Sequence, residues 1–588
     1  MEEKFRKGLN PLELPQIGNE WVPGYLRFRP GDENRFWMID VMHMPQPMRP
    51  LEYGTIYFIT FFGIGYAFTL FTPPTSYSNM WRTLNGRHYF SPMPVTDPEE
   101  IKRRAANFME KIGYHCANWE KIWTEAQKDM TERLDWFETF DYERGPDLND
   151  PEQMHHLHDY FDGIIERMCK ISLHHWIGLI ITQSQVVMYR ALAKELVPGT
   201  TDADCDDMLQ GFGNKIMETD VAFWKLGELA YSLGVGEIVK DAPLNEIISR
   251  LQETDNGKKW LEELKKAVHE CGMRHAGGCV AIAAPSWPED LTYPISFIRG
   301  PMDKIKRGEK LIPKEELIAK REQAIREFRA KIKAEEDKKK FDEVLALMQK
   351  LYPWIEDHDF FVEGRMNTLA HLKMVELGKR LVNETYIDEP NDIFYLLVSE
   401  VRELFDDLIF KHTQGRDYNL VDVRPVIKKR KEDFQRQSEW SYPTVLGVMP
   451  KEAPTEPVAV LIYGATPENI ERAMTSAEKV KGITEFSGLP GSSGICEGIA
   501  RVVIEPRDIR EVMPGEILVC AFTNPLWNPV FTKIKGVVTD TGGSLCHTVI
   551  IAREYGIPAV CGTGYGTKVI KTGDKIRVDG TRGMVTKI

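Results

Sequence analysis

The sequence pattern of this 588-residue chain changes near residue 450, and that change limits the folds open to it. Residues 97–140 and 150–270 carry apolar side chains at helical spacing with few internal prolines, which predicts amphipathic helices. After Lys481, short β-branched runs alternate with glycines, a pattern typical of strands joined by tight turns. The sequence therefore predicts a multidomain protein in which a largely α region is followed by a small α/β domain.

Proline residues mark the boundary between the two regions. Four prolines between residues 450 and 467 frame a short apolar segment, Val458–Tyr463, that is typical of a strand. Thr466 and Pro467 then predict the N-cap and the first residue of a short helix that ends near Val480.

The predicted organisation is a substrate-binding region at residues 1–450, a linker at 451–480 and a small domain at 481–588. Six strands are predicted in the small domain: Ile499–Ile504, Ile517–Ala521, Gly536–Thr539, Ala559–Cys561, Lys575–Val578 and Met584–Thr586.

The composition argues against several classes of partner. Acidic residues outnumber basic ones by 88 to 75, so the formal net charge is −13 and no basic surface for nucleic acid or membrane is expected. The nine cysteines are scattered without zinc-ligand spacing, and residues 1–10 contain no apolar secretory core. We therefore expect a cytoplasmic protein that binds neither nucleic acid nor membranes.

One apolar segment tests that expectation. Tyr53–Pro73 begins with 20 uncharged residues, which is long enough to cross a membrane as a helix. Internal glycines, two following prolines and the absence of positive flanking clusters instead favour a buried core or the wall of a pocket. Its many aromatic rings are candidates for lining an apolar ligand site.

The segment Gly536–Cys561 predicts a strand, a Gly-Gly turn and a helix that opens near Cys546 or His547. The free amides and dipole of a helix start favour an anion and lower the pKa of a histidine there, which keeps the imidazole neutral and nucleophilic. A phosphoryl group on that ring would be held by the helix start and by the Gly-Gly amides. A lone histidine at a helix start is nevertheless more often a capping or core residue.

A set of ordered motifs decides between these interpretations. They are Gly488–Gly498, Pro514–Val519, Thr523–Pro525, Thr541–Gly543, His547, Ala552–Glu554, Gly556–Ala559, Val578–Gly580 and Gly583. Together they resemble the swivelling phosphohistidine domain of the phosphoenolpyruvate-utilising enzymes, which include phosphoenolpyruvate synthase, pyruvate phosphate dikinase and rifamycin phosphotransferase.

The resemblance implies a role for several residues of the small domain. His547 would carry the phosphoryl group between two sites, with Arg553 as its companion cation. Thr541, Gly542 and Gly543 would bind the phosphoryl oxygens. Several relatives have a regulatory threonine two residues before the histidine, where this chain has Leu545, so that regulation is not expected here.

The region before the linker carries a second, looser resemblance. It rests on the order of Phe36–Trp37, Asp40, His43–Pro45, Pro50–Leu51, Gly272, Arg274–His275, Trp287–Asp290, Glu356–His358, Gly378–Leu381 and Asp392–Leu396. This part resembles the substrate-binding region of rifamycin phosphotransferase and of the large subunit of phenylphosphate synthase.

Two expected absences suggest a partner subunit. The 41 residues after His547 are too few for the barrel of roughly 250 residues that binds phosphoenolpyruvate in the dikinases. No GxxxxGK[ST] loop or other glycine-rich nucleotide-binding stretch precedes the small domain. The resemblance to phenylphosphate synthase therefore implies that a separate nucleotide-grasp subunit binds ATP and Mg²⁺.

The function expected from these resemblances is phosphoryl transfer to phenol in anaerobic phenol degradation. The partner would cleave ATP to AMP and phosphate, and His547 would pass the phosphoryl group to phenol, forming phenylphosphate. Two alternatives stay open: phosphorylation of another hydroxyl compound, such as a rifamycin-like antibiotic or an alcohol, and a phosphorelay subunit that passes phosphate to a protein.

The remaining candidates come from residue type. His43 is the first choice of base, with His175 or His158 in reserve. Arg274, Arg365 and Arg380 are phosphoryl-clamp candidates because guanidinium groups match phosphate oxygens. Core packing and surface ion pairs are the plainer explanations. Histidines 155, 156, 158, 174 and 175 have helical spacing, and we predict no metal site from them. The predicted ring pocket consists of Trp37, Tyr57, Phe61, Phe62, Tyr66 and His175.

Overall fold

The computed structural model describes residues 8–56, 62–139, 156–212, 215–275, 281–311, 313–450, 459–460, 462–475, 479–544 and 546–588. Its α-helices are Pro50–Ile56, Gly63–Phe71, Pro98–Ala117, Trp119–Thr139, His156–Leu196, Asp202–Asp207, Lys215–Ser232, Gly236–Asp241, Leu244–Gln252, Asp255–Cys271, Thr292–Lys306, Lys314–Lys331, Glu335–His358, Asn367–Asn383, Val398–Thr413, Arg424–Glu439, Pro467–Ala473, His547–Glu554 and Gly566–Val569. Shorter 3-10 turns are Asn19–Trp21, Asp32–Asn34, Pro390–Tyr395, Pro506–Glu511 and Pro525–Thr532, and Asp359–Met366 is π-helical.

The helix His156–Leu196 is the central element of the helical region. Its 41 residues bury side chains on several sides, because it packs against Trp119–Thr139, Gly63–Phe71 and Glu335–His358. A helix that is surrounded in this way shows apolar residues around most of its circumference rather than on one stripe. It forms one wall of the site described below.

The apolar segment Tyr53–Pro73 contributes to two helices, Pro50–Ile56 and Gly63–Phe71. Ile64, Ala67, Phe68 and Phe71 of the second helix are buried in the core, as expected for packing inside a protein. Among the described residues, no helix combines the length and the apolar character needed to cross a membrane.

A four-stranded antiparallel sheet lies within the mainly helical region, and the sequence did not predict it. Its strands are β1 Phe36–Ile39, β2 Ser76–Leu84, β3 Arg87–Pro94 and β4 Val445–Gly447, in the order β2-β3-β1-β4. Asn85 and Gly86, with φ of 49° and 72°, form the two-residue turn between β2 and β3. Asn-Gly is the sequence that such a turn prefers.

The C-terminal domain is an eight-stranded sheet with helices packed against it. Its strands are β5 Glu485–Ser487, β6 Leu489–Ser492, β7 Ile495–Val503, β8 Ile517–Cys520, β9 Gly536–Thr539, β10 Ala559–Cys561, β11 Lys575–Asp579 and β12 Met584–Lys587. Strands β7 to β10 run parallel at the centre of the order β5-β12-β11-β7-β8-β9-β10-β6. The helix His547–Glu554 connects β9 to β10 and packs against both.

The predicted linker differs from the structure at two points. Residues 459–460 are helical where a strand was predicted, and residues 451–458 and 461 lie outside the described ranges. Thr466 does cap a helix, because its hydroxyl accepts a hydrogen bond from the Asn469 amide at 3.3 Å. That helix ends at Ala473, earlier than predicted.

The C-terminal domain is docked against the helical region. Phe297 and Met302 of the helix Thr292–Lys306 share one hydrophobic cluster with Trp527 and Phe531 of the domain. Polar contacts add to it, including Arg510 to Asp290 at 2.8 Å. This docking directs the start of the helix His547–Glu554 toward the helical region.

Candidate functional site

A cavity of about 110 Å³ lies between the C-terminal domain and the helical region. Its lining is mostly apolar, with rings from Phe68, Trp81 and Phe90. The groups with chemistry along its wall are His43, His175, His358, Asp359, Glu363 and His547. The structure therefore brings the predicted carrier histidine and two of the three base candidates, His43 and His175, to one cavity. His158 does not line it, and its Nε2 lies 3.0 Å from an Asp406 oxygen.

His547 is the first residue of its helix and follows the N-cap Cys546. Its Nδ1 lies 2.8 Å from the Thr523 hydroxyl oxygen, and its Nε2 is hydrogen-bonded to the Asn528 side-chain oxygen. Burial and the positive charge of Arg274 lower the pKa of His547 to about 3. The imidazole is therefore neutral near pH 7, which is the form that attacks phosphorus.

His43 belongs to a hydrogen-bonded cluster with Asp40 and Tyr463. The His43 Nδ1 lies 2.8 Å from one Asp40 oxygen, and the Tyr463 hydroxyl donates to the other oxygen at 2.8 Å. Burial opposes a charge on His43, but the Asp40 carboxylate outweighs it and raises the pKa of His43. Asp40 follows β1 directly, and its amide is fixed by a 2.8 Å bond to the His88 carbonyl.

A third cluster joins His175, His358 and Glu363 on the same cavity. One potential ligand atom of each side chain lies within 4.8 Å of those of the other two. The His358 Nε2 lies 2.9 Å from an Asp359 oxygen; burial opposes its charge, but the Asp359 carboxylate raises the pKa of His358 to about 9. Desolvation and the neighbouring His358 hold the pKa of His175 well below its usual value.

Local packing fixes the geometry of this cluster. The Trp354 ring stacks on the His358 ring at 4.3 Å between centroids, and it lies directly against Gly178 on the long helix. A Cβ atom at Gly178 would stand 2.2 Å from that indole, so glycine is needed for this close approach. Glu363 comes from the π-helical turn Asp359–Met366, a type of distortion that often occurs at functional sites.

Arg274 is the one predicted clamp arginine with an electrostatic effect on His547. It is buried, donates to the Thr219 hydroxyl at 3.2 Å, and lies over the Trp287 ring at 5.4 Å. Its other terminal nitrogen, Nη1, has no hydrogen-bond partner within the described part of the chain. A buried guanidinium with an unused donor near His547 is suited to bind a phosphoryl oxygen.

The other predicted phosphoryl-binding residues have different contacts. Arg365 pairs with Glu138, and the half-buried Arg380 pairs with Glu384 one helical turn away, so neither arginine lines the cavity. Arg553 lies in a separate cleft, where it donates to the Gly491 carbonyl at 2.9 Å and to Asp206 at 3.1 Å.

The Gly-Gly turn is also engaged in the docked arrangement. The Gly543 amide donates to the Ile462 carbonyl at 2.8 Å, and the Thr541 hydroxyl donates to the Ala521 carbonyl at 2.9 Å. Gly542 adopts φ of 124°, a conformation that favours glycine. This turn therefore holds the linker against the domain instead of offering the Gly543 amide to a phosphoryl group.

The structure contradicts three of the six residues predicted for the ring pocket. Trp37 is fully buried, and its indole N–H donates to the Asp32 carbonyl at 2.7 Å, which makes it a core residue. Phe62 and Tyr66 are about half exposed, because they lie on the outer face of their helix. Tyr57 and Phe61 lie outside the described residues, and His175 is the one described member of the predicted set that lines the cavity.

Sequence reasoning missed several residues of the site. Thr523 and His358 stood inside motifs that carried the resemblances, but neither was assigned a role. Glu363, Asn528 and Tyr463 gave no signal, because they come to the site from three separate segments that only the fold brings together.

Comparison with known proteins gives two family matches. Residues 512–583 match the family described as the mobile domain of PEP-utilising enzymes. Residues 175–356 match the fourth domain of rifampicin phosphotransferase. The first match contains His547 and Asn528, and the second contains His175 and Arg274.

Several relatives have sequences similar to part or to nearly all of this chain. The chain is 27% identical over 573 residues to chondramide synthase of Chondromyces crocatus, which covers 95% of this chain and 14% of that protein. It is 27% identical over 354 residues to rifampicin phosphotransferase of Bacillus subtilis, with 59% of this chain and 36% of the relative covered. A probable phosphoenolpyruvate synthase of Staphylothermus marinus is 44% identical over 125 residues, which are 20% of this chain and 15% of that protein. The chain thus spans less than half the length of these relatives.

Proposed function

Because this chain carries the mobile domain of the phosphoenolpyruvate-utilising enzymes, we propose that His547 carries a phosphoryl group and delivers it to a hydroxyl compound bound in the cavity. The observation that carries this proposal is that His547 and the hydrogen-bonded base candidate His43 line the same cavity. A phosphoryl donor and a base facing one small volume are what transfer to a neutral hydroxyl requires.

The transfer step uses His43 as general base. A phenol hydroxyl has a pKa near 10, as tyrosine does, so it is a weak nucleophile until its proton is removed. The oxygen forms a bond to phosphorus, the P–N bond to His547 breaks, and its electron pair returns to the imidazole. The hydroxyl proton passes to His43, whose charged form is stabilised by Asp40 at 2.8 Å.

The dimensions of the cavity support a single aromatic ring as acceptor. Its volume of about 110 Å³ is of the order of an apolar cavity known to bind benzene, about 150 Å³. Drug-sized ligands occupy pockets of about 300–1,000 Å³. We therefore favour phenol, giving phenylphosphate, over a rifamycin-like antibiotic, with the rings of Trp81 and Phe90 beside the acceptor ring.

The phosphoryl donor would come from another subunit. In the docked arrangement His547 faces the acceptor cavity, so the domain has to leave this position for the histidine to be phosphorylated elsewhere. We propose that an ATP-cleaving nucleotide-grasp partner, which also binds Mg²⁺, phosphorylates His547 while converting ATP to AMP and phosphate. Separate pockets for ATP and acceptor predict ping-pong kinetics.

Isotope exchange tests the delivery half-reaction without the partner. Labelled phenol and unlabelled phenylphosphate are incubated with the purified chain in the absence of ATP. We expect label to enter phenylphosphate with the wild type and with His174→Ala, whose histidine binds Asp129 outside the cavity, but not with His547→Ala. Exchange that persists in His547→Ala would exclude the carrier role. Phosphate that appears on a protein, with no exchange, would favour a relay.

A further inference from the structure

A cluster of two imidazoles and one carboxylate on the cavity wall has no role in the transfer step described above. His175 comes from the helix His156–Leu196, His358 ends the helix Glu335–His358, and Glu363 lies in the π-helical turn that follows. All three side chains are at least nine-tenths buried, and their potential ligand atoms lie within 4.8 Å of one another. Buried charges in a protein interior need a partner, which is either an opposite charge or a metal ion.

We propose that His175, His358 and Glu363 bind one divalent transition-metal ion that faces the acceptor cavity. Two histidines and one carboxylate are a common ligand set for zinc, iron, manganese and cobalt, and this set leaves coordination positions open. Magnesium and calcium are disfavoured, since both prefer sites made of oxygen ligands.

The surroundings of the two histidines fit such a site. The His175 Nδ1 is buried and has no hydrogen-bond partner within the ranges that the structure describes, so a nitrogen is available on that side. The His358 Nδ1 lies 3.1 Å from the Trp354 carbonyl, and a hydrogen bond there leaves Nε2 as the ligand nitrogen. Histidine ligands are usually oriented by this kind of bond to a carbonyl.

Asp359 provides a possible fourth ligand. One of its carboxylate oxygens lies 2.9 Å from the His358 Nε2, and the residue also lines the cavity. With the ion bound, this carboxylate either joins the coordination sphere or accepts a hydrogen bond next to it. The remaining open positions face the same volume as His43 and His547.

The position of the ion suggests that it activates the hydroxyl group of the acceptor. This role rests on the proposed function. A hydroxyl oxygen of the acceptor that occupies an open position becomes more acidic, because the cation stabilises the oxyanion. Its proton then passes to His43. The binding site itself does not depend on that role.

Cobalt(II) is the probe that tests the site. The full chain is treated with a chelator, dialysed and titrated with Co²⁺, while bound metal is quantified and visible d–d absorption is recorded. We expect saturation at one equivalent in the wild type and in the matched control His174→Ala. His175→Ala and Glu363→Gln should each weaken binding at least tenfold, with circular dichroism reporting whether they remain folded.

Two outcomes would overturn the proposal. One is wild-type protein that binds no Co²⁺, Zn²⁺ or Mn²⁺ above the level of a buffer control. The other is binding that is unchanged in both folded variants, since the ion would then lie elsewhere.

The result can be separated from a failure of the proposed function. Metal titration of His547→Ala needs no phosphoryl chemistry and should match the wild type, even if phenol exchange were never observed. A change in the Co²⁺ spectrum on adding phenol would support acceptor coordination. An unchanged spectrum would remove the activating role and leave a structural metal site.

Discussion

His547 is kept neutral by several features of its surroundings. The helix start alone predicted a lowered pKa, and the structure adds two causes, burial and the nearby charge of Arg274, which bring the pKa to about 3. Asn528 and Thr523 fix the ring from both nitrogens. A neutral imidazole has one N–H and one lone pair. Because the Asn528 side-chain oxygen can only accept, Nε2 is the N–H, and the lone pair is on Nδ1, which accepts from the Thr523 hydroxyl. Release of the Thr523 hydrogen bond would make that lone pair available for phosphorus.

Arg274 and Arg380 provide a matched pair of substitutions, since the sequence offered both as phosphoryl clamps. Arg274→Gln removes a buried charge near His547, so we expect the pKa of His547 to rise and phenol exchange to fall about 10- to 100-fold, the loss typical of a charged hydrogen bond. Arg380→Gln removes a half-buried ion pair with Glu384, which also pairs with Lys411 and His412, and should leave both unchanged because Arg380 does not line the cavity. NMR titration measures the pKa of His547 in both variants, and isotope exchange measures their phenol exchange rates. An equal loss of exchange in Arg274→Gln and Arg380→Gln would contradict the assignment of Arg274 as the phosphoryl clamp.

Asp40→Asn tests the base without changing its shape. The Asp40 carboxylate raises the pKa of His43, so the amide should lower it and weaken the base. We expect the rate of phenol exchange to fall about 10²- to 10⁴-fold, the usual contribution of a general base. The acidic limb of the pH profile of that rate should move to lower pH, because His43 then loses its proton at lower pH.

The acceptor provides the control for that substitution. A nitrophenol is more acidic than phenol and needs less help from a base, so the loss in Asp40→Asn should be much smaller with it. Phosphorylation of His547 by the partner subunit should not change. A loss of equal size for both acceptors would show that Asp40 acts on structure and not on proton transfer.

Among the elements, six of the eight strands described in the C-terminal domain were predicted from sequence, because short-range patterns define them. Strands β5 and β6 were not predicted. Strands β9 and β10 have the predicted limits, and the helix after the Gly-Gly turn begins at His547 as expected. The resemblance to the mobile domain is confirmed by the match over residues 512–583. Glycine turns and β-branched runs are local signals, so no knowledge of distant contacts was needed.

The helical region was less predictable because its site depends on distant contacts. Asn85–Gly86 is a strong turn signal, but the helical spacing of the following chain predicts a mainly helical region and hides the β2–β3 hairpin. Spacing showed that His174 and His175 share a helix, but not which of them faces inward. His175 meets His358 only because two helices cross, with ring centroids 4.8 Å apart.

The contact between those two helices can be tested at Gly178. Gly178→Ala places a methyl group 2.2 Å from the Trp354 ring, and the strain should lower the free energy of unfolding by about 1–3 kcal/mol. Gly113→Ala is the control, because Gly113 is an exposed helical glycine with open space around it, and it should stabilise by about 0.5–1 kcal/mol. Denaturant unfolding measures the free energy of unfolding of both variants. Gly178→Ala should also displace His358, which Co²⁺ titration would detect.

For the whole molecule, the docked arrangement is one of two positions that the mechanism needs. Phe297 and Phe531 share an apolar cluster across the contact, and the half-buried ion pair of Arg510 with Asp290 adds to it. The Gly543 amide bonded to Ile462 ties the Gly-Gly turn to the linker. Under the proposed function, delivery and loading of phosphoryl would compete for the same domain, and the strength of docking would set how long His547 faces the acceptor cavity.

Asp220 makes that strength depend on pH. It accepts a hydrogen bond from the Tyr555 hydroxyl across the interface, and removal from water raises its pKa to about 6. A carboxyl whose pKa is raised by docking favours the docked state when protonated, and this advantage is lost as pH rises through about 6. Asp220→Asn resembles the protonated form, so at pH 8 we expect the variant to be more docked than the wild type, with the difference shrinking toward pH 5.

Fluorescence energy transfer between dyes on the two regions measures docking. Asp255→Asn, which changes an exposed carboxyl, should match the wild type throughout. A difference between Asp220→Asn and wild type that is constant across this range would show that packing, and not ionisation, is responsible.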